Sequence, residues 1–203
     1  MLSTPAPGGP HSISISDGQT LTLDNVLCGE VWLCGGQSNM EMPVGGSWGK
    51  VLGWEQELAD APRYDNIRLL KVKNTISSRP VREAEIEHGG WTVCDAQTLD
   101  NFSATAWFYG KNLSEELGVP VGLIESCWGG TIIEAWTSGK TLGTIPRFQP
   151  LMGMLERCMR TGAPEHIEWE NASGRAIHAK ATTLKDESGA ILGTVCLMRD
   201  VSE

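Results

Sequence analysis

The run Glu30-Val31-Trp32-Leu33-Cys34-Gly35-Gly36-Gln37-Ser38 constrains this chain more than any other. Its apolar stretch reads as a short buried strand. Two glycines end the strand, and a serine follows them. A hydroxyl just past a strand end, on backbone kept thin by glycine, is how an α/β enzyme exposes a nucleophile. The plainer alternative is a serine satisfied within a turn. A second run repeats the pattern: Val121-Gly122-Leu123-Ile124-Glu125-Ser126 leads into Cys127-Trp128-Gly129-Gly130-Thr131. Two glycines at a strand's C-terminal end let backbone N–H groups face one ligand atom. That edge is also where α/β sheets place their sites. The alternative is a tight strand-to-helix turn without a ligand.

Between these runs, Ile67 to Val72 reads as another buried strand. Ser103 is the expected N-cap of a helix running to about Leu117, closed by Gly118 and Pro120. Ala106, Tyr109, Leu113 and Leu117 give that helix an apolar stripe. Strand, helix and strand in this order predict a right-handed crossover and a parallel sheet. Residues 41–65 read as loop, and 74–101 as polar, irregular chain anchored by Trp91.

The two ends read differently. Residues 1 to about 11 are rich in Pro and Gly and are expected to be disordered. Ile13–Ser16 and Leu21–Leu23 alternate around Asp17-Gly18, which predicts a hairpin, the remnant of a preceding sandwich. After a composition break between about 148 and 155, Leu151, Met152, Leu155, Cys158 and Met159 mark an amphipathic helix ending at Thr161-Gly162. Strand-like segments follow at His166–Glu170, Ala176–Leu184 and Ile191–Arg199. Asn171-Ala172-Ser173-Gly174 and Asp186-Glu187-Ser188-Gly189 join them, so an antiparallel meander is expected. The expected organisation is therefore 1–26, 27–150 and 151–203.

Composition narrows the function. With 40% apolar residues and eight tryptophans in 203 residues, the chain can build a core. A net charge of −9 argues against nucleic acid and anionic membranes as partners. No apolar run reaches the roughly 18 residues of a membrane span. The first residues lack the basic and apolar regions of a secretory signal, so the chain as given is expected in the cytoplasm. Six scattered cysteines, with no CxxC pair and no Cys/His cluster, argue against structural zinc. Their apolar neighbours favour free thiols over disulfides. No metal or cofactor is expected.

Five segments are similar, in order and spacing, to the sialate O-acetylesterase family of SGNH hydrolases. They are Gly8-Gly9-Pro10 through Met42-Pro43, Asn66-Ile67-Arg68-Leu69, Trp91 to Cys94, Phe102-Ser103-Ala104 and Val119 to Trp136. The resemblance covers about residues 8–150. It implies a truncated three-layer α/β/α parallel sheet with Ser38 as nucleophile. It also implies an oxyanion hole from the Ser38 amide and Gly130, with Gly129, Gln37 and Asn39 at the substrate. The implied activity removes O-acetyl groups from sialic acid or other sugars without a metal. Family members are often secreted or periplasmic.

The family's Gln-Gly-Glu-type block and its late Asp-x-x-His block have no counterpart here. None of His11, His88, His166 and His178 has Asp three residues upstream. Loss of the base costs several orders of magnitude in rate, so a non-catalytic, sugar-binding module is the competing expectation. Residues 151–203 resemble the C-terminal half of a PAS domain, which implies a signalling segment; no cofactor residue carries over. Glu41, Glu125 and Glu134 allow a minor reading as glycosidase carboxylates. Trp48, Trp54, Trp128 and Trp136 are expected either to anchor loops or to stack on sugar rings.

Overall fold

The computed structural model describes residues 4–77, 81–170 and 174–201. They fall into two units. One takes the chain up to Thr75 together with Glu83–Gly130; the other takes Ile76–Arg82 and the chain from Thr131 onward.

The first unit opens with an antiparallel hairpin of β1 (Gly8–Ser16) and β2 (Thr20–Cys28). Pairing begins at Gly8, inside the stretch expected to be loose. Then come β3 (Glu30–Gly36), α1 (Ser38–Glu41), α2 (Trp54–Asp60) and β4 (Ile67–Lys71). After them come β5 (Thr92–Val93), α3 (Ala96–Asp100), α4 (Ala104–Leu117) and β6 (Val121–Cys127). The sheet order is β3-β6-β4-β5. β3 and β4 run parallel to β6, whereas β5 runs antiparallel to β4, so the sheet is mixed rather than purely parallel.

Alternation along β6 puts Val121, Leu123, Glu125 and Cys127 inside. Helix α4 starts where expected, on the Ser103 side chain, and ends at left-handed Gly118. Its buried face is Ala104, Ala106, Trp107, Gly110 and Ser114. Tyr109 and Leu117, expected on that face, are exposed. The cause is close packing: a methyl group at residue 110 would lie 2.6 Å from Leu123 Cδ1. The helix therefore turns its smallest residue toward the strand.

The opposite face of the sheet carries Val31, 61% exposed, and Leu33, 70% exposed. Trp91 lies against Gly122 on that side. Among the described residues no second helical layer covers this face, although parallel sheets are ordinarily covered on both.

Helices α2 and α3 fall where loop was expected. Trp54 and Leu58 of α2 pack against the core, and Glu57 accepts a hydrogen bond from Trp107 Nε1 at 2.9 Å. α3 is held by a capping box: Asp95 Oδ1 accepts the amides of Gln97 and Thr98 at 2.9 and 2.8 Å. Thr98 Oγ1 accepts the Asp95 amide at 3.0 Å. Tertiary contacts and a side-chain cap, rather than periodicity, make these short helices.

The second unit contains α5 (Gly139–Thr144), α6 (Gln149–Thr161), β7 (Glu165–Glu170), β8 (Ala176–Lys185) and β9 (Ile191–Asp200). The strands form the expected antiparallel meander in the order β7-β8-β9. Leu151, Met154 and Cys158 of α6 pack with Ala179 and Ala181 of β8. The first connector, Asn171–Ser173, lies outside the described residues. All six cysteines are free.

Candidate active site

The parallel strands β3 and β6 deliver their C-terminal ends side by side. The Trp128 amide donates to the Gly36 carbonyl at 3.1 Å, which ties the chain leaving one strand to the end of the other. From Gly36 the backbone passes through Gln37 into the short helix α1, and Ser38 is its first residue. Gln37, Ser38 and Asn39 are all exposed. The amides of Met40 and Glu41 bond to the Gln37 carbonyl at 2.8 and 2.9 Å. Those of Ser38 and Asn39, at the helix start, have no intrahelical acceptor. Thr105 Oγ1 donates to the Asn39 carbonyl at 3.0 Å and so links α1 to the first turn of α4.

Gly129 lies against the serine. A Cβ on Gly129 would stand 3.2 Å from Ser38 Oγ and 2.6 Å from Glu41 Oε2. The Gly129 amide donates to Glu41 Oε2 at 2.7 Å, and Asn74 Nδ2 donates to Glu41 Oε1 at 3.2 Å. Gly130 follows at φ 75°, the left-handed region open to glycine, and is exposed.

One step along the strands, Glu125 is 2% exposed. Lys71 Nζ stands 3.0 Å from its Oε1, and the Ser103 amide donates to Oε2 at 2.7 Å. Lys71 also donates to the Asn101 carbonyl. Burial raises the Glu125 pKa above the ordinary carboxylate range, opposed by Lys71 and the Ser103 amide. Burial likewise raises the thiols of Cys34 and Cys127, with the Glu125 charge adding to both. Both therefore stay protonated at neutral pH, and Ser38 presents an exposed hydroxyl at the strand ends.

Each unit holds two of the four histidines. His11 is on β1. His88, at φ 57°, sits in a short 3-10 turn, Glu87–Gly89, and lines a cavity of about 250 Å³ with Lys71 and Gln97. His166 and His178 lie on neighbouring strands of the second unit, ring centroids 6.3 Å apart. Among the described residues of its own unit, neither His11 nor His88 hydrogen-bonds Ser38, and among all described residues no cluster of His, Cys, Asp and Glu could hold a metal.

The glycosidase reading fails on two of its residues. Glu125 is buried against a lysine, and both Glu41 oxygens accept internal donors. Lys71 was missed as the partner of Glu125 because the two meet only through the β4–β6 register. Its signal was present: an acid at an inward position of a buried strand requires a cation. Trp54 packs on the core and acts as an anchor, whereas Trp136 donates to Thr131 Oγ1 at 2.8 Å and stays exposed.

A family model described as carbohydrate esterase, sialic acid-specific acetylesterase, matches residues 28–163. The match passes the expected limit of residue 150 and takes in α6. A sialate O-acetylesterase of Pongo abelii is 34% identical over 182 residues, which is 85% of this chain. One of Mus musculus is 35% identical over 152 residues, 70% of this chain. The chain spans 34% of the first relative's length and 27% of the second's, about a third of such proteins. The crystal structure of a carbohydrate acetylesterase from Xanthomonas citri aligns with a TM-score of 0.60 and 36% identity, over 71% of this chain and 32% of that one. This chain belongs to the sialic acid-specific acetylesterase family of carbohydrate esterases.

Proposed function

We propose that this chain carries the nucleophile-bearing part of a serine esterase that removes O-acetyl groups from sialic acid or other sugars. The finer architecture adopted with this reading is a truncated SGNH-type sheet; of the three α/β/α layers expected, the described residues of this unit supply the sheet and one helical layer. One observation supports it above others: an exposed serine at a parallel strand end, with Gly129 of the neighbouring strand end against it. Ser38 Oγ attacks the acetyl carbonyl and forms a tetrahedral intermediate. The Ser38 and Gly130 amides donate to its oxyanion. Collapse expels the sugar hydroxyl, and water then releases acetate from the acyl-enzyme. Each addition needs a base to take a proton. The reading requires a base in addition to Ser38 and the two amides, and names no residue for it.

The test is intact mass after exposure to a fluorophosphonate. One adduct is expected on the wild-type chain and none on Ser38→Ala. A folded wild-type chain that takes no adduct would replace catalysis with sugar binding as the function. A further reading makes residues 151–203 a PAS-type signalling segment, supported by the antiparallel β7-β8-β9 meander, which begins beyond the end of the family match. Dimerisation of the full chain, lost on substitution of exposed Leu197 in β9, is the expected sign of it.

A further inference from the structure

We propose that Glu41 is a positioning residue whose carboxylate fastens the Gly129-Gly130 turn to the helix bearing Ser38. It thereby sets where an acyl oxygen meets the backbone amides at that turn. The proposal rests on Ser38 being the nucleophile.

Helix α1 has four residues and no side-chain cap at its start. A single turn has no stability of its own in water, so its direction depends on tethers. Thr105 supplies one, at Asn39. Glu41 supplies another. It stands three residues after Ser38 and therefore on the same side of the turn. Its carboxylate takes the Gly129 amide at 2.7 Å on one oxygen and the Asn74 amide group at 3.2 Å on the other. With both oxygens engaged, the carboxylate plane is fixed. A hydrogen bond to an ionised acceptor is also roughly twice as strong as a neutral one.

The close approach identifies what is being held. The position a Gly129 Cβ would occupy is 2.6 Å from Glu41 Oε2 and 3.2 Å from Ser38 Oγ. Carboxylate, glycine and hydroxyl thus meet at one point, and the glycine cannot move away without breaking the bond to Glu41. The arrangement also sorts the amides. The Gly129 N–H is already taken, so it is not an oxyanion donor. Its role passes to the next residue, Gly130, whose orientation follows from where Gly129 is pinned.

The experiment compares wild type, Glu41→Ala and Glu41→Gln in the full chain. It reads amide hydrogen exchange at Gly129 by NMR and the kinetics of Ser38 phosphonylation by a fluorophosphonate. In Glu41→Ala, exchange at Gly129 is expected to quicken about tenfold or more. The limiting phosphonylation rate is expected to fall about 100-fold, the usual effect of a misplacement near 1 Å, with the half-saturating reagent concentration unchanged. Glu41→Gln keeps an acceptor oxygen and is expected to restore most of both. Unchanged exchange in Glu41→Ala overturns the proposal. So does an unchanged rate, which leaves the esterase reading intact. Slowing in Glu41→Gln equal to that in Glu41→Ala overturns it too, in favour of the charge alone. A wild-type chain that takes no label while Gly129 stays protected removes the esterase reading, and with it any positioning role for Glu41.

Discussion

Lys71→Met is expected to destabilise the chain by about 3–5 kcal/mol at pH 7, the usual cost of stranding one member of a buried ion pair. The cost is expected to shrink toward pH 5. Glu125 is 2% exposed, and its pKa in the folded chain already lies above the ordinary 4.5, chiefly through burial. Lys71 is the strongest influence opposing that rise, so removing it pushes the value higher still. A carboxyl whose folded pKa exceeds its unfolded one takes up a proton on folding. Its contribution is fully present below pH 4.5 and is lost as pH rises through the raised value. The stranded carboxylate is therefore most costly at neutral pH and can neutralise itself on acidification. Urea unfolding at pH 7 and pH 5 checks this; an equal loss at both would show that the charge is not the cause. Adding Glu125→Gln, which still accepts the Ser103 amide, is expected to recover more than half of the loss at pH 7.

Gly29→Ala is expected to cost about 3 kcal/mol, at the upper end for overpacking, or roughly 6–12 °C in Tm for a chain of this size. Gly29 joins β2 to β3, and a Cβ there runs into the Pro120 carbonyl oxygen, with the Pro120 carbonyl carbon at 2.7 Å. A side-chain end could rotate away, but this carbonyl cannot. It accepts the Glu30 amide at 3.0 Å, immediately before the β3–β6 ladder begins at Glu30 and Val121. The added methyl must therefore part the two strands where their register is set. Thermal unfolding followed by circular dichroism checks it, and a Tm within 2 °C of wild type would contradict the steric account.

The fold was most legible where one residue type served local and tertiary demands at once. Ser103 caps α4 and Gly118 closes it, and both could be read without a partner. β3, β4 and β6 could likewise be read as strands, but β3 buries only Cys34, because it lies at the sheet edge with Val31 and Leu33 on the uncovered face. The sheet order could not, because pairing joins β6 to both β3 and β4 across long stretches of chain. The buried face of α4 was misread because periodicity rewards large apolar residues, whereas Gly110 was chosen for contact distance. At the candidate site, the strand-end placement of Ser38 and the two glycines carried a local signature. Glu41 did not: a carboxylate that accepts a backbone amide 88 residues away leaves no mark on its neighbours.

Among the described residues, the strand that presents Ser38 is an outer strand of its sheet, bonded to β6 on one side only. Interior strands unzip only when two ladders fail together, whereas an outer strand frays with one. The strand leading to Ser38 therefore ranks with β5, the other edge strand, among those held by a single ladder under mild heat or denaturant. Loosening around Ser38 is then expected while the core around Trp107 and Phe102 is still folded, so the strand end would lose its shape before the unit does.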